Sequence, residues 1–160
     1  MKLELRRFFE NDNLKQDFDY SFTADDDLFS SDVAVKGCVK TVTGIVSLEA
    51  EASVTVTTEC AKCAKEVIQR LNVPVSHLLI DKLNEEDNDD FIVVEDMVLE
   101  LDELILEDIY LSLPIRFLCK EDCKGLCAFC GKDLNEGDCG CSKPVDPRLA
   151  ALQALLDDEE

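Results

Sequence analysis

The 160-residue chain is poor in the residues and runs that many enzymes and membrane proteins depend on. It has one histidine, no tryptophan and two tyrosines, and no apolar run reaches the roughly 18 residues that a membrane span requires. It contains no GxGxxG, Walker, GxSxG or HExxH motif. Charged residues interrupt the apolar ones in its first seven positions, which argues against a cleavable export signal. We therefore expect a cytoplasmic protein that is not an enzyme and that binds neither a membrane nor a small-molecule substrate.

Basic residues are also scarce. The chain has 16 Lys and Arg against 36 Asp and Glu, a formal charge of −20, which excludes a generally basic nucleic-acid binder. Residues 81–108 carry thirteen acids and one base, whereas 33–80 and 109–148, which hold every cysteine, are near neutral. The acidic runs Asp25–Asp27 and Glu85–Asp90 are typical of solvated loops. Such a polarised surface would attract basic proteins.

What the chain does have is a strand pattern. Apolar residues make up 46% of it, enough for the core of one domain. Val33–Lys40 alternates apolar and polar residues, and Ile45–Thr58 and Val67–Ile80 are rich in β-branched residues. Short connections between these segments predict an antiparallel meander. Lys2–Phe9 could add an edge strand, and Phe91–Val94 predicts a further short one.

Two segments carry helix signals. Leu101–Leu113 has apolar residues at helical spacing, acids in its first turns and Pro114 after its end. Asp146 and Pro147 suit the start of a second helix, with leucines on one face. The fold class that follows is α+β: an antiparallel β-meander with a central helix, a cysteine-rich zinc-binding segment and a short C-terminal helix.

We expect one domain with four parts. Residues 1–32 form an acidic N-terminal extension, and 33–118 form the core of antiparallel sheet and helix. Residues 119–145 form the cysteine-rich zinc segment, and 146–160 form the C-terminal helix and an acidic tail.

The nine cysteines are the strongest chemical signal. Without an export signal they are expected to be reduced and to bind metal rather than to form disulfides. Cys38 is interpreted as a small buried residue on a strand. The remaining eight have the spacing of zinc ligands: Cys60, Cys63, Cys119, Cys123, Cys127, Cys130, Cys139 and Cys141.

The sequence leaves two groupings of these eight ligands open. The preferred one has a local site and a site that joins the cysteine-rich segment to the hairpin: Cys127, Cys130, Cys139 and Cys141, and Cys60, Cys63, Cys119 and Cys123. It relies on glycines that would let the loop fold tightly around an ion, and on Cys139 and Cys141 pointing the same way in an extended stretch. The rival grouping places the four cysteines of 119–130 around one ion. With four thiolates on each ion, one or two zinc ions would be structural.

A redox interpretation competes with the metal one. Cys60–Cys63 has the CxxC spacing of a thioredoxin-like pair, but that motif begins a helix in a βαβ unit. Here it lies between two predicted antiparallel strands. A thiol-redox or zinc-handling protein, with reactive thiols of low pKa, is kept as the alternative function. The single histidine, His77, is interpreted as a strand residue rather than a ligand or a base.

Two stretches resemble one family. Thr55–Cys63 is a strand that ends at a CxxC, and Cys119–Cys141 is followed by Asp146-Pro147-Arg148. From about Val33 to Leu155 the chain resembles the YceD family of large-ribosomal-RNA accumulation proteins. Ala128 departs from the proline that often follows the cysteine there.

The resemblance implies a bacterial cytosolic factor that supports synthesis, processing or stability of large-subunit (23S) ribosomal RNA and ribosome assembly. It brings no established catalytic residue. The partners it implies are ribosomal proteins, or the ribosomal RNA of the pre-ribosome. The residues we expect to form a local contact patch for RNA or protein are the cations of the C-terminal half: Arg116, Lys120, Lys124, Lys132, Lys143 and Arg148.

Overall fold

The computed structural model describes residues 1–81 and 91–141. The strands and helices, in chain order, are β1 (Lys2–Glu4), α1 (Arg6–Glu10), β2 (Lys15–Phe22), β3 (Val33–Val42), β4 (Ile45–Glu59), β5 (Glu66–Ile80), β6 (Phe91–Val93), β7 (Val98–Glu100) and α2 (Leu101–Ser112). The predicted acidic loop Glu85–Asp90, the end of the cysteine-rich segment and the predicted C-terminal helix lie outside the described residues.

A five-stranded sheet forms the body of the molecule, in the order β2-β3-β4-β5-β6. Strands β2 to β5 are antiparallel and consecutive, whereas β6 joins β5 in parallel. The strand pattern predicts β3, β4 and β5, but it misses β2, which lies within the expected N-terminal extension. Pro74 lies opposite Glu51 of β4, and β6 pairs with β5 only at Leu78–Ile80. Within the described chain, the other side of Pro74 therefore has no strand partner, which is the edge position expected of a proline.

The N-terminal segment differs from the prediction of one edge strand over Lys2–Phe9. Only β1 is extended, and it pairs with β7 in a separate two-stranded sheet. From Arg6 the chain turns into α1. Leu5 and Phe8, three residues apart, are both buried, and this helical spacing places both side chains in the core.

The core lies between the inner face of the large sheet and α2. Leu101, Ile105 and Ile109 of the helix are fully buried against alternate strand residues such as Val35 and Leu48. Each such side chain contributes about 1.5–3 kcal/mol when it is removed from water. The spacing of the helix residues and its acidic first turn agree with the prediction for this segment.

Two single-residue interpretations have different outcomes. His77 lies on β5, as predicted, and its Nε2 is 2.7 Å from Asp108 Oδ2 on α2. Cys38 is only half-buried, so its prediction as a buried residue is wrong. Strand alternation places Val35 and Val39 inside, and it places Cys38 on the outer face.

One residue of the acidic run Asp25–Asp27 does not have the fully solvated position expected of a loop. Asp26 is half-buried; it accepts hydrogen bonds from the Leu28 amide at 2.8 Å and from the Tyr110 hydroxyl at 2.6 Å. This carboxylate therefore joins the loop to the end of α2, while Asp25 and Asp27 are exposed. In the ranges 1–81 and 91–141, no helix is both long and apolar enough to cross a bilayer.

Candidate metal centres

The connection between β4 and β5 is a tight turn built around a CxxC. The Cys60 amide donates to the Lys65 carbonyl at 2.7 Å, and the Ala64 amide donates to the Cys60 carbonyl at 2.9 Å. Ala64 closes the turn with a φ of +55°. Cys60 and Cys63 are both buried at this end of the hairpin. We call residues 60–65 the hairpin knuckle.

The same turn occurs again in the cysteine-rich segment. The Cys127 amide donates to the Lys132 carbonyl at 2.8 Å, and the Gly131 amide donates to the Cys127 carbonyl at 2.9 Å. Gly131, with a φ of +72°, occupies the position that Ala64 has in the hairpin knuckle. We call residues 127–132 the loop knuckle. Two distant CxxC motifs therefore form the same hydrogen-bonded turn.

The hairpin knuckle meets the first two cysteines that follow α2. Cys60 Sγ is 3.8 Å from Cys123 Sγ, and Cys63 Sγ is 3.5 Å from Cys119 Sγ. All four sulfur atoms lie within 4.8 Å of one another. A disulfide would require about 2.05 Å, whereas thiolates bound tetrahedrally at about 2.3 Å from zinc are about 3.8 Å apart. We call this group the first site, and its spacing fits a metal ion.

The loop knuckle meets the last two cysteines of the described chain. The Sγ atoms of Cys127, Cys130, Cys139 and Cys141 lie within 4.8 Å of one another, and we call this group the second site. The structure therefore brings together the cysteines of the preferred sequence grouping and not those of the rival one. Gly140 has a φ of +71°, so Cys139 and Cys141 converge through a turn and not through the extended stretch expected.

In each site, hydrogen bonds lower the pKa of one thiol and raise the pKa of another. Burial raises the pKa of Cys60, but backbone amides of Cys119 and of its own knuckle lower it to about 6. Backbone amides of the loop knuckle likewise lower the pKa of Cys127 to about 6. Hydrogen bonds to neighbouring thiols raise the pKa of Cys119 and of Cys141 to about 12. Four thiolates so close together repel one another, so a divalent cation is the partner that lets all four ionise.

One backbone and one side-chain hydrogen bond hold the cysteine-rich segment against the hairpin knuckle. The Leu126 amide donates to the Lys62 carbonyl at 3.0 Å, and Lys62 Nζ donates to the Cys123 carbonyl at 2.9 Å. Gly125 lies at this contact with a φ of +78°, and a Cβ there would be 2.9 Å from the Lys62 carbonyl oxygen. Only glycine fits this position without a shift of the backbone.

Three polar residues that the sequence reasoning missed support the first site. Asn135 Nδ2 donates to Cys123 Sγ at 3.5 Å, and its Oδ1 accepts from the Lys124 amide at 3.0 Å. Asp133 Oδ1 accepts from Asn135, and Asp133 Oδ2 is 2.6 Å from Lys65 Nζ. The Lys65 ammonium lowers the pKa of Asp133 to about 2. The Asp-x-Asn pattern, typical of a side-chain-supported turn, was the signal available in the sequence.

The predicted contact cations are only partly described. Arg116, Lys120, Lys124 and Lys132 are all exposed around the cysteine-rich segment. Lys120 Nζ is 3.9 Å from Asp122 Oδ1, and Lys132 Nζ donates to the Asp138 carbonyl at 3.0 Å. Acidic residues thus lie among these cations. Lys143 and Arg148 lie outside the described residues, and the patch stays a prediction.

Comparison with known proteins gives the family. No solved structure matches the chain. The chain is 33% identical over 107 residues to an uncharacterised protein of Mycobacterium tuberculosis, 63% of this chain and 51% of that protein, so it spans about half the length of that relative. It is 32% identical over 136 residues to the uncharacterised protein YlbN of Bacillus subtilis, 81% of this chain and 78% of YlbN. The family described as "Large ribosomal RNA subunit accumulation protein YceD" matches residues 48–156, a range that includes all eight cysteines of the two sites. The chain therefore belongs to the YceD family.

Proposed function

We propose that this protein is a non-enzymatic cytoplasmic factor that supports the accumulation of large-subunit (23S) ribosomal RNA, with two zinc ions that stabilise its cysteine-rich segment. The observation that carries the proposal is the family match, because it covers residues 48–156 and both cysteine sites. The family description supports the role in ribosomal RNA accumulation. The geometry of the sites supports the zinc.

The donor set favours a structural ion over a catalytic one. Each site offers four cysteine sulfurs within 4.8 Å of one another. Catalytic zinc usually has three protein ligands and an open position, whereas four thiolates complete a tetrahedron and leave no position for water or substrate. Amide donors to Cys123 and Cys127 are typical of the outer contacts that orient metal ligands.

A basic protein of the large subunit is the partner that the charge favours. Glu103 and Glu107 are exposed on the outward side of α2. Asp26 lies at the C-terminal end of the same helix, against Tyr110. Acidic side chains along one helix would attract a basic protein and repel bare RNA. We propose this helix as the contact surface for the partner.

The role in ribosomal RNA accumulation is tested by depletion in the host. We expect the ratio of large-subunit to small-subunit ribosomal RNA to fall, and expression of the wild-type chain to restore it. Cys123→Ser removes a ligand of the first site and should fail to restore the ratio. Cys38→Ser, which lies outside both sites, is the matched control and should restore it. An unchanged ratio on depletion would contradict the proposal.

The partner is tested with charge reversal on α2. The chain carrying Glu103→Lys and Glu107→Lys should lose binding to large-subunit proteins extracted from ribosomes with salt. The control carries the same charge change on the outer face of β4, through Glu49→Lys and Glu51→Lys, and should retain binding. Equal binding by both variants, or binding to protein-free ribosomal RNA alone, would contradict a basic protein as the partner.

The alternative function, thiol-redox or zinc-handling chemistry, draws on the exposure of Cys119, Cys130 and Cys141. It predicts fast alkylation of these thiols in the native protein, because exchange and redox reactions need an accessible thiolate. Structural zinc predicts slow alkylation that becomes fast after chelation. Mass spectrometry of the alkylated native protein separates the two.

A further inference from the structure

One loop contacts both sites: the cysteines that flank it are in the second site, and its central residue contacts the first site. Residues 131–138 lie between Cys130 and Cys139, both of them in the second site. Asn135, in the middle of this loop, donates its amide to Cys123 Sγ of the first site at 3.5 Å. The loop is therefore a direct physical connection between the two groups of cysteines.

Asn135 is held in the orientation that this contact requires. Its Oδ1 accepts from the Lys124 amide at 3.0 Å, and its Nδ2 also donates to Asp133 Oδ1 at 2.7 Å. These two partners fix which end of the side-chain amide carries the donor. Asp133 is in turn held by Lys65, which belongs to the hairpin knuckle. Cys123, whose sulfur receives the bond, is itself buried.

The remainder of the loop packs beside the first site in a defined register. The Leu134 amide donates to the Gly125 carbonyl at 2.9 Å, and Leu126 forms an isolated β-bridge with Asp133. These contacts align the loop with residues 123–127. Its two ends come together where Cys130 and Cys139 meet, and Lys132 Nζ also donates to the Asp138 carbonyl at 3.0 Å across them. Opening the cysteine junction would leave only exposed contacts at the loop ends, and it would raise the entropic cost of placing Asn135.

We propose that the two metal sites are coupled and that Asn135 is the positioning residue that couples them. A metal ion in the second site closes the loop, and the closed loop presents the Asn135 amide to a ligand of the first site. A hydrogen bond to a metal-bound thiolate stabilises its charge, so zinc binds the first site more tightly when the second is filled. By thermodynamic linkage, zinc in the first site tightens the second by the same factor. This inference rests on the zinc sites proposed above.

The test measures zinc affinity at each site separately, in the full-length chain. Zinc-loaded protein is equilibrated with increasing concentrations of a competing chelator, and the freed thiols are alkylated. Trypsin cleavage at lysines then separates the two sites. The peptide 121–124 contains Cys123 alone and reports the first site, and the peptide 125–132 contains Cys127 and Cys130 and reports the second.

Asn135→Ala is expected to lower the zinc affinity of the first site by about 10- to 100-fold, the usual effect of an outer-shell partner. Glu136→Gln is the matched control: it changes the adjacent exposed residue, whose side chain lies near Lys65, and should leave that affinity unchanged. Cys139→Ser, which opens the second site, should weaken the first site by a similar factor. Adding Asn135→Ala to Cys139→Ser should then cost little more, since both remove one contact.

Two results would overturn the coupling. One is an Asn135→Ala protein whose first site matches the wild type. The other is an Asn135→Ala effect that is as large with Cys139→Ser as without it, because the contact would then act independently of the second site. Failure of the zinc proposal itself has a different signature: the wild-type thiols would be alkylated equally fast with and without chelator.

Discussion

Different interactions stabilise two regions of the molecule. We call residues 60–65 and 117–141 the cysteine lobe, and the five-stranded sheet with α2 the sheet body. The body has an apolar core in which Leu48, Ile105 and Ile109 are fully buried. In 117–141 the buried residues are two cysteines and a glycine, and Phe129 is 58% exposed. A segment this short cannot bury enough apolar surface to fold by itself. The comparison teaches that apolar packing holds the body and is missing from residues 117–141, where we propose that metal ligation takes its place.

The most severe test of this comparison is to remove the metal. Structural zinc contributes about 10–16 kcal/mol of apparent binding free energy at neutral pH. We expect a strong chelator to abolish amide hydrogen-exchange protection in 117–141 while β3 and β4 retain theirs. Added zinc should restore the lost protection. Loss of protection in both regions together would contradict the division into two independently stabilised parts.

The converse test damages the body. Ile105→Ala leaves a cavity under α2 and should lower the free energy of unfolding by about 2–5 kcal/mol. Leu111→Ala is the control, because it removes as many carbon atoms from the same helix but from a side chain that is 85% exposed. A change within about 0.5 kcal/mol is therefore expected. Urea unfolding followed by circular dichroism measures both. Equal effects of the two substitutions would contradict the assignment of Ile105 to the core.

A third substitution tests the contact between the two regions. Gly125→Ala adds a Cβ 2.9 Å from the Lys62 carbonyl oxygen and forces alanine to adopt a φ of +78°, so we expect a loss of about 1–3 kcal/mol. Gly131→Ala has a similar φ of +72° but no atom within 4 Å of its added Cβ. It should therefore show the backbone cost without the clash. Thermal unfolding of the zinc-loaded variants measures the difference, and identical losses would contradict a steric role for Gly125.

The smallest expected effect concerns a surface hydrogen bond of the body. The Tyr110 hydroxyl, and then the Leu28 amide, lower the pKa of Asp26. A lowered folded-state pKa contributes stability above the unfolded value of about 3.9, and this contribution is lost as the pH falls through the folded value. Tyr110→Phe should raise the pKa of Asp26 toward that of an ordinary aspartate, as followed by NMR of its carboxyl carbon. An unchanged pKa would contradict the hydrogen bond.

The strand pattern predicted β3, β4 and β5 because burial has a simple period in an antiparallel sheet, but it missed β2, in which only Phe18 is buried. Val33, Val35 and Val39 alternate with outward residues, and this alternation alone gives the strand and its buried face. The same alternation, applied to Cys38, would have placed it on the outer face. Lys2–Phe9 was too short to distinguish a strand from a strand followed by one helical turn.

The cysteine spacing predicted which cysteines the lobe brings together and favoured the grouping that the structure shows, but it did not predict the contacts around them. The turn at Gly131 is a glycine position that the sequence suggests, whereas Ala64 adopts the same left-handed conformation without that signal. The Asn135–Cys123 contact depends on how the loop packs across the first site. Spacing along the chain carries no information about such a contact, because it forms only after the lobe has closed.

The most direct test of the account is a count of the metal. Native mass spectrometry of the chain, purified under reducing conditions and without chelator, should show two zinc ions per chain, and Cys123→Ser and Cys139→Ser should each remove one. Zinc-free wild-type protein with eight reactive thiols, or with disulfides among them, would contradict the two structural sites on which the account depends.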